Sequence, residues 1–215
     1  PEVTPSLARM VLSRGRSQSL PLRWFSIPQC FRYERMQKGR KREHFQWNMD
    51  VIGLASMAAE VELMSAQVDF LREVGFRVDG EQPDIVFKLS NRQVLEHALK
   101  ELGISGEFFA AACVIIDKRD KIGDDKVLEL LNEAGIDSGQ GQQILELLEI
   151  RGLDALRERV GDTNPGYREL ASLMDYAQGA GIAPILHIDL SVVRGLSYYT
   201  GTVWELFDTV GGGAR

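Results

Sequence analysis

The tightest constraint on this chain is a pair of strand-like runs with a charged segment between them. Arg23 to Cys30 (RWFSIPQC) is aromatic and apolar. Phe45 to Gly53 (FQWNMDVIG) alternates with the period of two expected of a half-buried strand. Between them, residues 32–43 read RYERMQKGRKRE, with six basic side chains (Arg32, Arg35, Lys38, Arg40, Lys41, Arg42) and two acids (Glu34, Glu43). Strand, basic loop, strand predicts an antiparallel hairpin with a long tip. Pro28 places its part of the first run at an edge or a strand end, because proline has no amide hydrogen to give a ladder.

That local charge stands out against an acidic background. The chain has 25 Lys and Arg against 31 Asp and Glu, a net charge of −6. This excludes a generally basic nucleic-acid coat and leaves one positive loop, which fits one specific anionic ligand. The 215 residues are enough for one large domain or a core with a small insert. With 44 % hydrophobic and 26 % charged residues the composition is that of a globular chain. Two cysteines, Cys30 and Cys113, far apart in sequence, argue against a disulfide scaffold. They fit a reducing compartment, the cytoplasm or an organellar matrix. No apolar run approaches the roughly 20 residues of a membrane span.

Elsewhere the pattern is helical with strands at intervals. Thr4-Pro5 predicts a helix start with Thr4 as cap, and Leu7, Met10 and Val11 give that helix a short apolar face up to Arg14-Gly15-Arg16. Val61, Met64, Val68 and Leu71 predict an amphipathic helix over 57–74. Ile85 to Leu89 predicts a short strand. Ser90 and Gln93 predict a capping box for a helix facing inward through Val94, Leu95, Ala98 and Leu102. Cys113 to Ile116 is apolar and β-branched. From there to about Gly181 the chain is polar and helical, with stripes Val127, Leu128, Leu131 and Ile144, Leu145, Leu148, and with breaks expected at Gly135, Gly139, Gly141 and Gly152. Ile185 to Val193 returns to strand character, interrupted by His187 and Asp189, and the strand formers Tyr199, Thr202, Val203, Trp204 and Phe207 follow.

Familiar site signatures are absent. There is no phosphate-binding P-loop and no nucleophile elbow. His44, His97 and His187 have no metal spacing with the cysteines, so no metal site is expected. Two segments remain. In FRYER, Arg32 offers a planar fork suited to phosphate, and on a strand Arg32 and Glu34 share a face. Such a pair grips a nucleotide; a solvated surface hairpin has the same pattern. In RGLSYYTGT, residues 194–202, Arg194 follows an apolar run, Gly195 and Gly201 allow close approach, and Tyr198 and Tyr199 offer hydroxyls and ring faces. A strand with buried aromatics and a structural ion pair reads the same way.

Together these segments resemble the catalytic domain of histidyl-tRNA synthetases, a family of class II aminoacyl-tRNA synthetases. FRYERMQKGRKREHFQWNMDVIG, residues 31–53, resembles the class's motif 2 in its histidine-specific form. RGLSYYTGTVWE, residues 194–205, resembles a signature peculiar to the histidyl enzymes and their close relatives. PEVTP at the start resembles the family's Pro-Glu-x-Thr element, and IDKRDKI, residues 116–122, the opening of its helical insertion. Three departures are visible: Ser197 where the family usually has Asp, Met36 where Pro is frequent, and Trp204 in place of Phe or Tyr.

The resemblance implies an α+β fold, an antiparallel sheet flanked by helices with a small helical insertion. It implies a first catalytic part over 1–112, the insertion over 113–180 and a second catalytic part over 181–215. It also implies that motif 3, most of motif 1 and the anticodon-binding domain belong to a longer chain. The implied activity is ATP-dependent ligation of histidine to its tRNA, with Mg²⁺ accompanying ATP and the enzyme acting as a homodimer. Residue by residue, Arg32 and Arg194 flank the α-phosphate as the catalytic pair. Arg32, Glu34, Arg40 and Arg42 bind ATP. Glu2, Thr4, Gln46, Asp50, Arg194, Tyr198 and Tyr199 bind histidine, and Arg35, Lys38 and Lys41 meet the tRNA acceptor end. A synthetase-like regulatory paralogue without ligase activity, and a plain RNA-binding module, are the other readings. The retained Arg32, Glu34, Gln46, Arg194 and Tyr199 favour the enzyme over the first, and RGLSYYTGT is unexplained by the second.

Overall fold

The structure is a computed structural model that describes residues 1–33, 35–36, 40–193 and 199–211. It is an α+β chain that divides into two compact units, Pro1–Met64 and Ser65–Arg215.

The first unit opens on α1 (Thr4–Arg14), with Pro5 in its first turn. Thr4 is the first helical residue and not its cap. Val3 takes that place, and its carbonyl accepts the amides of Ser6 and Leu7, both at 2.9 Å. No residue of α1 is buried. The expected hairpin is present, but each arm is broken in two. β1 (Leu22–Ser26) pairs antiparallel with β4 (Asn48–Ile52), and β2 (Gln29–Phe31) with β3 (Glu43–Phe45). Arg23–Cys30 is therefore not one strand. Pro28 has no amide to give, so the ladder stops beside it, and its carbonyl accepts the Gln46 amide at 3.1 Å. The break in one arm thus faces the break at Gln46-Trp47 in the other. Ser56 starts α2 (Met57–Glu73), accepting the Ala59 amide on its carbonyl at 2.9 Å. Val61, Met64 and Val68 are buried, the periodicity expected of this helix. An Arg23–Glu62 ion pair at 2.5 Å ties β1 to α2.

The second unit is built around β5 (Ile85–Asn91), which is buried at every position except Lys88. β6 (Leu186–Ile188) lies parallel on one side, and β7 (Thr202–Asp208) antiparallel on the other. The β5–β6 pair is a parallel element in an otherwise antiparallel set of ladders. A parallel neighbour requires a crossover, and here the helical stretch is that crossover. α3 (Arg92–Glu101) is capped by Asn91 and not by Ser90: the Asn91 side chain accepts the Gln93 amide at 2.9 Å. Its buried face is Val94, Leu95, Ala98 and Leu99, with Leu102 left half-exposed beyond the helix. The β-branched run Cys113–Ile116 closes α4 (Glu107–Ile116), a helix. Then come α5 (Arg119–Ile122), α6 (Asp124–Glu133), α7 (Ser138–Leu148), α8 (Leu153–Val160) and α9 (Pro165–Ala180).

Val127, Leu131, Ile144 and Leu148 are fully buried, each contributing on the order of 1.5–3 kcal/mol by leaving water. Gly135 and Gly152 sit at helix ends with positive φ, as expected of breaks. Gly139 and Gly141 do not break anything; both lie inside α7. A β-carbon on Gly141 would stand 3.0 Å from Leu128 Cδ2, so this glycine lets α6 and α7 approach closely. Cys30 and Cys113 are buried free thiols, and burial pushes the Cys113 thiol up to about 11. Among the described residues no helix is long and apolar enough to cross a membrane.

Candidate functional site

In the first unit the site is assembled where the hairpin leaves its regular ladders. Arg32 directly follows β2, and its amide donates to the Arg42 carbonyl at 2.8 Å, closing the base of the basic loop. Its half-buried guanidinium is held at two points: Nε donates to the Pro1 carbonyl at 2.9 Å, and Nη2 to Gln46 Oε1 at 2.9 Å. Both acceptors are neutral oxygens. They fix the plane of the fork without cancelling its charge, which suits it to an anion arriving from outside.

Gln46 is fixed in turn, its Nε2 donating to Asn48 Oδ1 at 2.7 Å. Asn48 was not among the expected site residues. Its signal in the sequence is the spacing of two that it keeps from both Gln46 and Asp50. On β4, Asn48 and Asp50 point to the same face, while Met49 pairs across with Phe25 on the other. Asp50 is half-buried, and that burial raises its carboxyl above the usual aspartate value. Among the described residues no cation pairs with it, and a carboxylate kept partly from water in this way is suited to accept a hydrogen bond from a cationic or N–H donor ring.

Around this centre, Glu2 is half-buried just before α1, and Thr4 is exposed at its start. Arg35, Arg40, Lys41 and Arg42 are all exposed. The Arg42 guanidinium lies 4.3 Å from the centre of the Tyr33 ring, a cation–π contact. Lys41, Arg42, His44 and Phe45 line an open cleft of about 700 Å³. Glu34, Lys38, Arg194 and Tyr198 lie outside the described residues.

Tyr199 belongs to the second unit, half-buried in a narrow cleft with Ser90, Arg92, Phe109, Cys113 and Val203. In the same unit, Asp189 is buried directly after β6. It accepts the Ser191 hydroxyl at 2.6 Å and the Ser191 amide at 3.1 Å, and pairs with Lys88 Nζ at 2.9 Å. Burial pushes its carboxyl up, but the Ser191 hydroxyl and Lys88 pull it down further, and the balance lies below the usual aspartate value. Of the expected site residues, then, the structure brings Arg32 and Gln46 together at the Pro1 carbonyl, with Asp50 on the same hairpin. Among the described residues no group of three or more His, Cys, Asp or Glu is placed to hold a metal ion.

The family model described as histidyl-tRNA synthetase matches residues 1–214. The chain is 44 % identical over 211 residues to a histidine–tRNA ligase, chloroplastic/mitochondrial, of Arabidopsis thaliana, a match covering 98 % of this chain and 43 % of that protein. A histidyl-tRNA synthetase from Nostoc sp. PCC 7120 superposes with a TM-score of 0.81 at 27 % identity, over 95 % of this chain and 48 % of its own. A Bacillus halodurans protein described as an ATP phosphoribosyltransferase regulatory subunit/histidyl-tRNA synthetase superposes with a TM-score of 0.79 at 19 % identity, over 97 % of this chain and 53 % of its own. That last likeness is one of fold. The chain spans about half the length of the curated relatives it matches.

Proposed function

Because the chain belongs to the histidyl-tRNA synthetase family, we propose that the protein carrying it activates histidine with ATP and transfers the histidyl group to the 3′ end of the histidine tRNA. A histidine carboxylate oxygen attacks the α-phosphorus, the bond to the bridging oxygen breaks, and pyrophosphate leaves. A terminal ribose hydroxyl of the tRNA then attacks the carbonyl of the adenylate, and AMP leaves. No side-chain nucleophile is required, so the protein's task is to hold two anions in line and to stabilise the charge that builds between them.

The observation that carries this reading is the Arg32 fork, oriented by the Pro1 carbonyl and Gln46 Oε1, both at 2.9 Å. In the proposal Arg32 takes one side of the α-phosphate and Arg194 the other. Glu34, Arg40 and Arg42 serve ATP. Glu2, Thr4 and Gln46 face the substrate's amino group, Asp50, Tyr198 and Tyr199 its imidazole, and Arg35, Lys38 and Lys41 the acceptor end of the tRNA. The raised carboxyl of Asp50 suits a partner with an N–H to give. The described residues offer no carboxylate cluster for a resident metal. In the proposal Mg²⁺ accompanies ATP as part of the substrate. Residues 113–180 are assigned to the insertion, 1–112 and 181–215 to the catalytic core, and the working enzyme to a homodimer.

Histidine-dependent exchange of labelled pyrophosphate into ATP by the full-length protein tests this. Arg32→Ala and Arg194→Ala are each expected to cost about 10²–10³ in exchange rate, the usual loss for one donor to a developing oxyanion. The fold likeness to the Bacillus halodurans protein keeps a regulatory reading in play. Histidine binding without any exchange would select it.

A further inference from the structure

A second polar cluster lies within the second unit, where α9 meets the sheet. Asn91 is the last residue of β5 and is fully buried. Its Oδ1 is committed to capping α3, accepting the Gln93 amide at 2.9 Å. Its Nδ2 donates twice, to Glu169 Oε2 at 2.7 Å and to Thr202 Oγ1 at 3.0 Å. Gln93 Nε2 donates to the other oxygen, Glu169 Oε1, at 3.1 Å. One carboxylate on α9 thus collects two amides from the β5–α3 junction.

The far end of the cluster is the exit of the segment that carries Tyr199. Thr202 pairs with Asn91 at the start of β7. The Gly201 carbonyl accepts the Arg92 amide at 3.0 Å. Gly201 itself is tight against the same acid, since a β-carbon there would stand 3.2 Å from Glu169 Oε2. The first turn of α9 is equally close, for a β-carbon on Gly166 would collide with Asn91 Oδ1 and the Val94 amide nitrogen. Three contacts therefore pin Gly201 and Thr202, two and three residues after Tyr199, and Glu169 sets the rotamer of the asparagine that makes one of them. A carboxylate accepting neutral amides in a part-buried site is a directional constraint.

We infer that Glu169 is a positioning residue: acting through Asn91, it fixes the Gly201–Thr202 exit and thereby the placement of Tyr199 toward histidine. The inference rests on the proposed reading of Tyr199 as part of the histidine site. Glu169 touches no substrate in this scheme. It makes the helical stretch a determinant of amino-acid affinity, although α9 contributes no residue to the arginine site.

The test is a comparison of KM values in the full-length protein by pyrophosphate exchange, for Glu169→Ala and Glu169→Gln. Losing hydrogen bonds to a charged acceptor is expected to raise the histidine KM by about tenfold in Glu169→Ala, with the ATP KM within about twofold of wild type. Glu169→Gln offers one oxygen to two donors and is expected to fall between. Parallel rises in both KM values, or an unchanged histidine KM, would overturn the inference. Thr202→Val, which removes only the hydroxyl, is expected to repeat the histidine-selective shift at smaller size. It serves if Glu169→Ala does not fold. If the wild type shows no exchange, the proposed activation fails, and calorimetric titration with histidine decides the positioning role. Weaker histidine binding by the variants would uphold it on a binding protein, and equal binding by wild type and variants, or none by either, would remove it.

Discussion

β4 and β5 are both at the heart of their units, and they are made in opposite ways. Every residue of β4 is half-buried, whereas β5 is buried everywhere but at Lys88. The polar groups differ in the same sense. On the hairpin, Arg32, Gln46 and Asn48 are held by neutral partners and keep a face to solvent. In the second unit, Asn91 and Asp189 are buried and spend their hydrogen bonds within the protein, Asn91 on Gln93, Glu169 and Thr202, Asp189 on Ser191 and Lys88. A polar side chain in reserve is suited to meet a ligand. One that is fully spent holds the scaffold.

That contrast can be broken by mutation. Phe87 at the centre of β5 is completely buried, and Phe87→Ala is expected to cost about 3–5 kcal/mol in denaturant unfolding. Phe25 on β1 is 73 % exposed, and Phe25→Ala is expected to change stability by less than about 0.5 kcal/mol. Comparable costs would sink the distinction. Asp189→Asn removes the buried charge that faces the partly exposed Lys88 and is expected to cost about 1–3 kcal/mol at neutral pH. The pH dependence follows from the lowered carboxyl of Asp189. Its contribution is complete above the ordinary aspartate value, about 3.9, and drains away as pH falls through the lower folded value. Wild type should therefore lose its lead over Asp189→Asn only in acid; a lead unchanged from pH 7 to pH 2 would contradict the ionised pair. Gly166→Ala is expected to cost about 1–3 kcal/mol through the collision of its β-carbon with Asn91 and Val94. A neutral outcome would show that α9 can shift away from β5.

Much of this was legible in the sequence, and the misses have physical causes. The hairpin, α2 and the leucine stripes follow from periodicity. The cap of α3 was misplaced by one residue, from Asn91 to Ser90. Both types cap well; the choice is made by β7, whose pairing carries β5 on to Asn91↔Thr202. Gly139 and Gly141 were expected to break a helix because propensity says so, and the close approach of Leu128 overrides it. In the site, Arg32 stood out by its guanidinium fork and strand position in FRYER, whereas Gln46 was found through the family resemblance alone. The Pro1 carbonyl that orients Arg32 leaves no mark in any sequence, because a backbone acceptor is common to all residues. Glu169 was passed over for a similar reason. Its partners stand at Asn91 and Gln93, too distant along the chain for any local pattern to join them.

The parallel pairing of β5 with β6 has a consequence in time. β5 is synthesised before both of its neighbours, since β6 and β7 follow only after the whole helical crossover. With roughly 100 residues still to be added at about 5–20 residues per second, the central strand waits on the order of 5–20 s on the ribosome for its partners. During that interval the helices α3 to α9 emerge one after another and can shelter its apolar faces. The crossover is therefore also an escort: helices can close from local contacts as they emerge, ahead of the long-range ladder that completes the sheet.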